Sequence, residues 1–276
     1  MIDPSVQAKN RQPLNVVLVN YKTAVITKIC LELLRESLHG RPATIWVVDN
    51  DSADASLDYL RSLDWIQLIE RRAEAKEPGY IAHGRALDLV LEKIDADYLF
   101  LMHSDTLIYD ASIFDLMLAA SQKDPALFAA GCLEQINRGA VRSIWRLTSR
   151  FAKHYIRRVK KSLGLSSRAP KPPRELYLKS FFALWNAKLI KQHNLHFAMN
   201  DELPGYAAQA QMLALGYRTN ALAPRRIFKY LEHIQSGTVA ASGNYGQQHR
   251  RTKAYQRVLR KYLTNGHAGE PAMSSQ

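Results

Sequence analysis

Cysteine is nearly absent: Cys30 and Cys132 are the only two in 276 residues. Both lie in apolar stretches and form no metal-like spacing, which excludes a disulfide-stapled fold and a thiolate metal cluster. They read as core thiols of a reducing compartment. Long apolar runs are also missing, so no segment is expected to cross a bilayer and any membrane contact is expected to be peripheral. The first residues, Met-Ile-Asp-Pro-Ser-Val-Gln, lack a basic region followed by an apolar stretch, and no secretory signal is expected. The expected location is therefore cytoplasmic, with a peripheral position at the inner face of the cell membrane left open. No internal repeat and no DNA- or RNA-binding motif stands out, so nucleic acid is not an expected partner. Acidic residues are outnumbered, 25 against 38 Lys and Arg, for a net charge of +13. On charge alone that surplus suggests a polyanionic partner: nucleic acid, an anionic membrane surface or a phosphate-bearing substrate.

What is present is enough apolar residue, 47% of the chain, to build a substantial core. Asn15 to Val19 reads as a buried strand, Ala24 to Leu38 as a helix and Thr44 to Val48 as a second strand. Ser56 to Leu63 (helix), Trp65 to Glu70 (strand), Ile81 to Ile94 (helix) and Tyr98 to Met102 (strand) continue the alternation. Strands alternating with helices predict βαβ units and a mostly parallel sheet. Beyond it, Phe114 to Ala120 reads as a helix, Leu127 to Cys132 and Tyr177 to Trp185 as strands, and Tyr206 to Leu215 as a helix closed by Gly216. From Val141 to Arg174 every charged residue is basic, and Ile144, Leu147, Phe151, Tyr155, Val159 and Leu163 form a helical stripe. Ala169 to Pro173 reads as an extended linker and His249 to Leu263 as a second basic helix.

Two strands end in short polar clusters. Asp97 to Thr106 reads Asp-Tyr-Leu-Phe-Leu-Met-His-Ser-Asp-Thr, and Val47 to Ser52 reads Val-Val-Asp-Asn-Asp-Ser. In open α/β sheets ligands bind beyond strand C-termini, so carboxylates there are candidates for phosphate-linked metal or nucleotide binding. The first strand and turn, Val17 to Thr23, the segment Val47 to Ser56 and the Asp105 cluster together, in this order and spacing, resemble the family 2 glycosyltransferases. Those are nucleotide-sugar enzymes with the GT-A fold. Two departures stand out: Asp51 occupies a position usually held by glycine, and His103 replaces the usual first aspartate of the metal motif.

The resemblance implies an α/β fold of GT-A type. It consists of a Rossmann-like, mostly parallel central sheet flanked by helices, with a basic helical insertion. It implies that Val19, Asn20, Tyr21, Asp49 and Asn50 hold the nucleotide, a task suited to a carboxylate that accepts from base N–H or ribose hydroxyls. Asp49 could equally be a turn aspartate. Pro78 to Asp88 corresponds to the family's loop and helix before the metal strand. Gly79 and Gly84 would allow close backbone approach there, and His83, Arg85 and Asp88 would face the nucleotide. Asp105 would bind Mn²⁺ or Mg²⁺ bridging the donor diphosphate, with Ser104 beside it. His103 would coordinate the metal or hydrogen-bond a phosphate, and His233, at the end of a later strand, matches a second metal ligand in order. The base that deprotonates the acceptor hydroxyl is expected at Asp201 or Glu202.

On this reading residues 1–13 are an N-terminal arm, 14–265 a single catalytic domain and 266–276 a disordered tail. Within the domain, 14–132 binds the donor, 141–174 is the basic insertion and 175–265 is the acceptor half with a C-terminal helix. The expected activity is inverting transfer from a UDP-, GDP- or dTDP-linked sugar to a glycan or lipid-linked acceptor in cell-envelope polysaccharide or glycolipid synthesis. The basic insertion would be a solvated face, an anionic membrane interface or a loop gripping acceptor phosphates. Two rivals are a sugar nucleotidyltransferase, whose glycine-rich basic N-terminal motif is missing, and a non-catalytic nucleotide- or glycan-binding module on a degenerate scaffold.

Overall fold

The computed structural model describes residues 12–73, 75, 77–137, 139–166, 176–234, 256, 257 and 260. Strand β1 (Leu14–Asn20) is apolar on both faces because both faces are covered. Val16 and Leu18 enter a core with Ile26, Cys30 and Phe114, while Val17 and Val19 enter a second with Leu87, Val90 and Ile190. The period-2 alternation of a strand thus divides one sequence run between two helical layers.

Helix α1 (Ala24–Ser37), β2 (Ala43–Asn50), α2 (Ala55–Arg61), β3 (Ile66–Arg71), α3 (Gly79–Lys93) and β4 (Tyr98–His103) complete the predicted alternation. They are followed by β5 (Thr106–Ile108), α4 (Ser112–Lys123), β6 (Leu127–Gly131), α5 (Ala140–Ser162) and β7 (Phe182–Asn186). The chain then forms α6 (Ala187–Gln192), α7 (Tyr206–Ala214), β8 (Arg218–Ala221), α8 (Pro224–Ile227) and β9 (Leu231–His233). Local chemistry sets several starts. The Asp54 carboxylate accepts from Ser56 N at 3.0 Å to open α2, and Asn186 Oδ1 accepts from Leu189 N at 2.9 Å to open α6.

The seven-stranded sheet has the order β3-β2-β1-β4-β7-β6-β8. Pairs β3–β2, β2–β1, β1–β4 and β6–β8 are parallel; β7 alone runs against its neighbours β4 and β6. This is the mostly parallel α/β sheet the sequence predicts. Strands β5 and β9 form a separate antiparallel pair.

Differences from the expected elements have local causes. The strand expected from Tyr177 begins only at Phe182, because other groups take the polar atoms before it. Leu178 N donates to the Gln209 side chain at 2.9 Å, Lys179 N donates to the Cys132 carbonyl at 2.8 Å, and the Tyr177 hydroxyl donates to Pro204 O at 2.6 Å. Helix α3 starts at Gly79 rather than Ile81, with Ile81 N and Ala82 N both donating to Pro78 O. Strands β5 and β8 and helices α6 and α8 are short, and periodicity over so few residues carries no signal. The Ala169–Pro173 linker, residues 235–238, the 266–276 tail and most of the N-terminal arm and second basic helix lie outside the described residues.

Candidate active site

Strand β4 is buried at the sheet centre and releases the chain at His103. A two-residue turn, Ser104–Asp105, then leads into β5. Phe181 O secures the turn by accepting from His103 N at 2.9 Å and Thr106 Oγ1 at 2.9 Å. Strand β5 pairs with β9 so that Thr106 faces His233, and Ile234 N donates to Asp105 O at 3.0 Å. This small sheet delivers His233 to Asp105 from far along the chain.

His103, Asp105 and His233 each offer one ligand atom, all within 4.8 Å of one another. His233 Nε2 lies 3.2 Å and His103 Nδ1 3.8 Å from Asp105 Oδ1. Two ligands on one cation with bonds of about 2.1 Å stand roughly 3.0 to 4.2 Å apart, and both separations fall in that range. The nitrogens are prepared for this role. His233 Nδ1 lies 2.8 Å from Gln135 O, which can only accept, so that nitrogen carries the proton and Nε2 presents its lone pair. His233 Nε2 is buried and makes no hydrogen bond, so its lone pair is available to a metal ion. His103 Nε2 lies 3.0 Å from Ser180 Oγ; with the proton there, Nδ1 faces Asp105. Phe181 stacks on the His233 ring at 4.6 Å and 23° and holds its plane.

His83, from α3, joins as a third imidazole, its ring 5.2 Å from that of His103. Burial pushes His103 down to about 3, reinforced by His83 and His233 and opposed by Asp105; burial likewise pushes His83 down to about 4, against Asp105. Both rings are therefore neutral at physiological pH and free to use a lone pair. A quarter of the His103 side chain still meets solvent, so the cluster is not sealed. Ser104 and Asp105 are buried beside it.

At the tips of β1 and β2, Asn20 is fully buried and organises a polar network. Its Nδ2 donates toward Asp49 Oδ1 (2.8 Å), Ser56 Oγ (2.7 Å) and Ser52 Oγ (3.1 Å), and its Oδ1 accepts from Thr27 (2.8 Å) and Thr23 (3.1 Å). The other Asp49 oxygen accepts from Ser52 N at 3.1 Å. Asn50 Oδ1 accepts from Arg71 at 2.7 Å, and Arg71 and Arg85 both pair with Glu77. Asp51 adopts φ +64°, the left-handed region that favours glycine, which accounts for its standing where the family carries glycine; a short Asx side chain tolerates it. Val19 is buried and Tyr21 is exposed at the strand tip.

Asp88 is engaged by backbone donors. Its two oxygens accept from Phe197 N (2.6 Å) and Ala198 N (3.0 Å), fastening the 197–198 loop to α3. Burial raises its pKa, against these two backbone bonds. Gly84, one turn earlier, lets that loop come close, since a Cβ there would lie 3.0 Å from Ala198 Cα; Gly79 has open space. Asp201 and Glu202 follow on an exposed turn in which Asn200 and Asp201 take φ 56° and 51°. The structure thus gathers His83, His103, Asp105 and His233 in one cluster, Asn20 and Asp49 in a polar network, and Asn50 with Arg71 in another. Ser180, Gln135 and Phe181, which orient the histidines, carry no sequence signal, because only tertiary pairing brings them there.

The mostly parallel sheet, with β7 alone antiparallel, has the architecture of the GT-A glycosyltransferases, which use nucleotide-sugar donors. The chain belongs to glycosyl transferase family 2, whose model matches residues 15–183, from β1 into β7. Asp201, Glu202 and His233 lie beyond that match. A search of curated proteins gives no match. Among solved structures, a mannosyltransferase from Pyrobaculum calidifontis, in complex with GDP-Man and Mn²⁺, is 12% identical, with 97% of this chain and 82% of that one covered and a TM-score of 0.53. The S. aureus TarS segment 1-349 is 13% identical, with 96% and 76% covered and a TM-score of 0.50. At these identities the likeness is one of fold. Among the described residues, no helix is long and apolar enough to cross a membrane.

Proposed function

We propose that the protein is a metal-dependent, inverting glycosyltransferase. It moves a sugar from a UDP-, GDP- or dTDP-linked donor to a hydroxyl of a glycan or lipid-linked acceptor, in cell-envelope polysaccharide or glycolipid synthesis. The observation that carries this reading is the convergence of His103, Asp105 and His233, with the buried Nε2 of His233 unused by any hydrogen bond. Two imidazoles and a carboxylate suit Mn²⁺ better than Mg²⁺. A bound divalent cation supplies charge neutralisation for the departing diphosphate.

The chain's own residues do the rest. Asn20, Asp49 and Asn50, fixed by their networks, present the β1 and β2 tips to the nucleotide, with Tyr21 exposed beside them. His83 and Arg85, on the first turns of α3, face the diphosphate side. Asp201 or Glu202 accepts the acceptor's hydroxyl proton as its oxygen bonds to the anomeric carbon. The bond from that carbon to the diphosphate breaks, and the nucleoside diphosphate leaves with the electron pair.

Purified protein offered UDP-, GDP- and dTDP-sugars with Mn²⁺ should release nucleoside diphosphate from one of them. Release should stop with a chelator and fall about 100-fold or more in Asp105→Asn. Turnover indifferent to that substitution overturns the assignment. Metal-dependent nucleotide binding without turnover of any donor establishes the binding-module reading instead.

A further inference from the structure

Helix α5 is turned the wrong way for an ordinary surface helix. Such a helix buries its apolar stripe and shows water its charges. Here Trp145 is 75% exposed, Leu163 67%, Tyr155 57%, Val159 56% and Ile156 54%. Among the described residues of the helix, the half-buried positions are Ser149, Arg150, Phe151, His154 and Arg157. At 100° per residue the five exposed apolar side chains fall within an arc of about 100°. Lys153 and Lys160 border that arc, and Arg150, Arg157 and Lys161 fill the opposite side. The helix runs 23 residues with eight Arg or Lys and no acid.

We propose that α5 is a docking surface for an anionic lipid bilayer. It lies in the interfacial plane with Trp145, Ile156, Val159 and Leu163 at the acyl boundary and Lys153 and Lys160 at headgroup phosphates. Charge complementarity selects this occupant. A second copy would press two wholly basic helices together, which Coulomb repulsion opposes. A nucleic acid would meet the charges but leave the apolar arc in water. An anionic bilayer satisfies both faces at once, because basic stems snorkel while apolar tips insert. The helix is too charged to span, so it lies on the surface. Ionic attraction to such a surface is screened by salt, whereas apolar insertion is not. This proposal does not rest on the chemistry at His103 and Asp105 and holds whether or not that chemistry is as proposed.

The test is sedimentation of the full chain with phosphatidylglycerol–phosphatidylcholine vesicles and with pure phosphatidylcholine vesicles. The anionic vesicles should bind at least about tenfold more tightly at low salt, with partial release near 0.5 M salt, roughly where the Debye length falls to 4 Å. Ile156→Gln with Val159→Gln, and separately Lys153→Gln with Lys160→Gln, should each weaken binding about tenfold. All four side chains are exposed, so melting temperature should not move. Trp145 emission should shift to the blue on binding, a shift lost in Trp145→Phe. Failure to sediment with anionic vesicles at low salt overturns the proposal. So does binding that the apolar pair leaves unchanged while a DNA duplex competes it away, which would mark a general polyanion surface. A solution dimer that the apolar pair converts to monomer would instead make α5 a self-association face and would also overturn it.

Discussion

Gly84→Ala tests how tightly α3 is bound to the loop ahead of Asp201 and Glu202. The added Cβ would lie 3.0 Å from Ala198 Cα, 3.0 Å from its Cβ and 3.1 Å from its N. Ordinary contacts of this kind are about 3.5–4.0 Å, so a shift of roughly 0.5–1 Å is required. The loop cannot yield freely, because Phe197 N and Ala198 N are bonded to Asp88 on the same helix. Overpacking against backbone costs about 2–3 kcal/mol, and the helix-propensity gain of Ala over Gly returns about 1, leaving a net loss of about 1–2 kcal/mol. With an m-value of about 3 kcal/mol/M in urea, the midpoint should fall by roughly 0.3–0.7 M. Gly79→Ala, with nothing within 4 Å of its new Cβ, should be neutral or stabilising. Adding Ala198→Gly to Gly84→Ala should restore at least part of the loss, a coupling read by a double-mutant cycle. If Gly84→Ala stabilises as much as Gly79→Ala, the close approach of loop and helix is wrong.

Two further outcomes follow from the buried polar groups. Asn20→Ala strips partners from Asp49, Ser52, Ser56, Thr23 and Thr27 at once, and should cost about 3–5 kcal/mol in chemical denaturation, several times a single lost hydrogen bond; a loss under about 1 kcal/mol would mean water replaces the amide. His83 titrates near 4 in the folded chain against an ordinary 6.5, so its neutral ring supports the fold fully above 6.5 and that support is lost as pH falls toward 4. His83→Gln should therefore lose less stability than the parent over that interval, and parallel pH–stability curves would contradict the burial of the ring.

The sheet was legible because both sides of it are covered. Runs such as Val16 to Val19 and Leu99 to Met102 must then be continuously apolar, and the helices between them carry the 3.6 period. The Asp105 tip was legible for the same reason, since a polar cluster ends an apolar run abruptly. Two points of the chemistry depend on tertiary geometry instead. The Asp88 oxygens accept from the backbone of Phe197 and Ala198, partners no local pattern encodes. The tautomer of His233 depends on Gln135 O, and its delivery depends on a pairing of two three-residue strands. Helix α5 shows the sharpest limit. Its amphipathic pattern is plain in the sequence, but which face meets the protein is not, and among the described residues Trp145, Tyr155, Ile156, Val159 and Leu163 face outward.

The most direct test of the metal site is a Mn²⁺ titration followed by electron paramagnetic resonance, on the parent chain and on Asp105→Asn and His233→Ala. One Mn²⁺ should bind per chain in competition with excess Mg²⁺, and each substitution should weaken binding about 10- to 100-fold or more. Affinity unchanged by both substitutions, or Mg²⁺ displacing Mn²⁺ at equal concentration, would contradict a metal centre built from His103, Asp105 and His233.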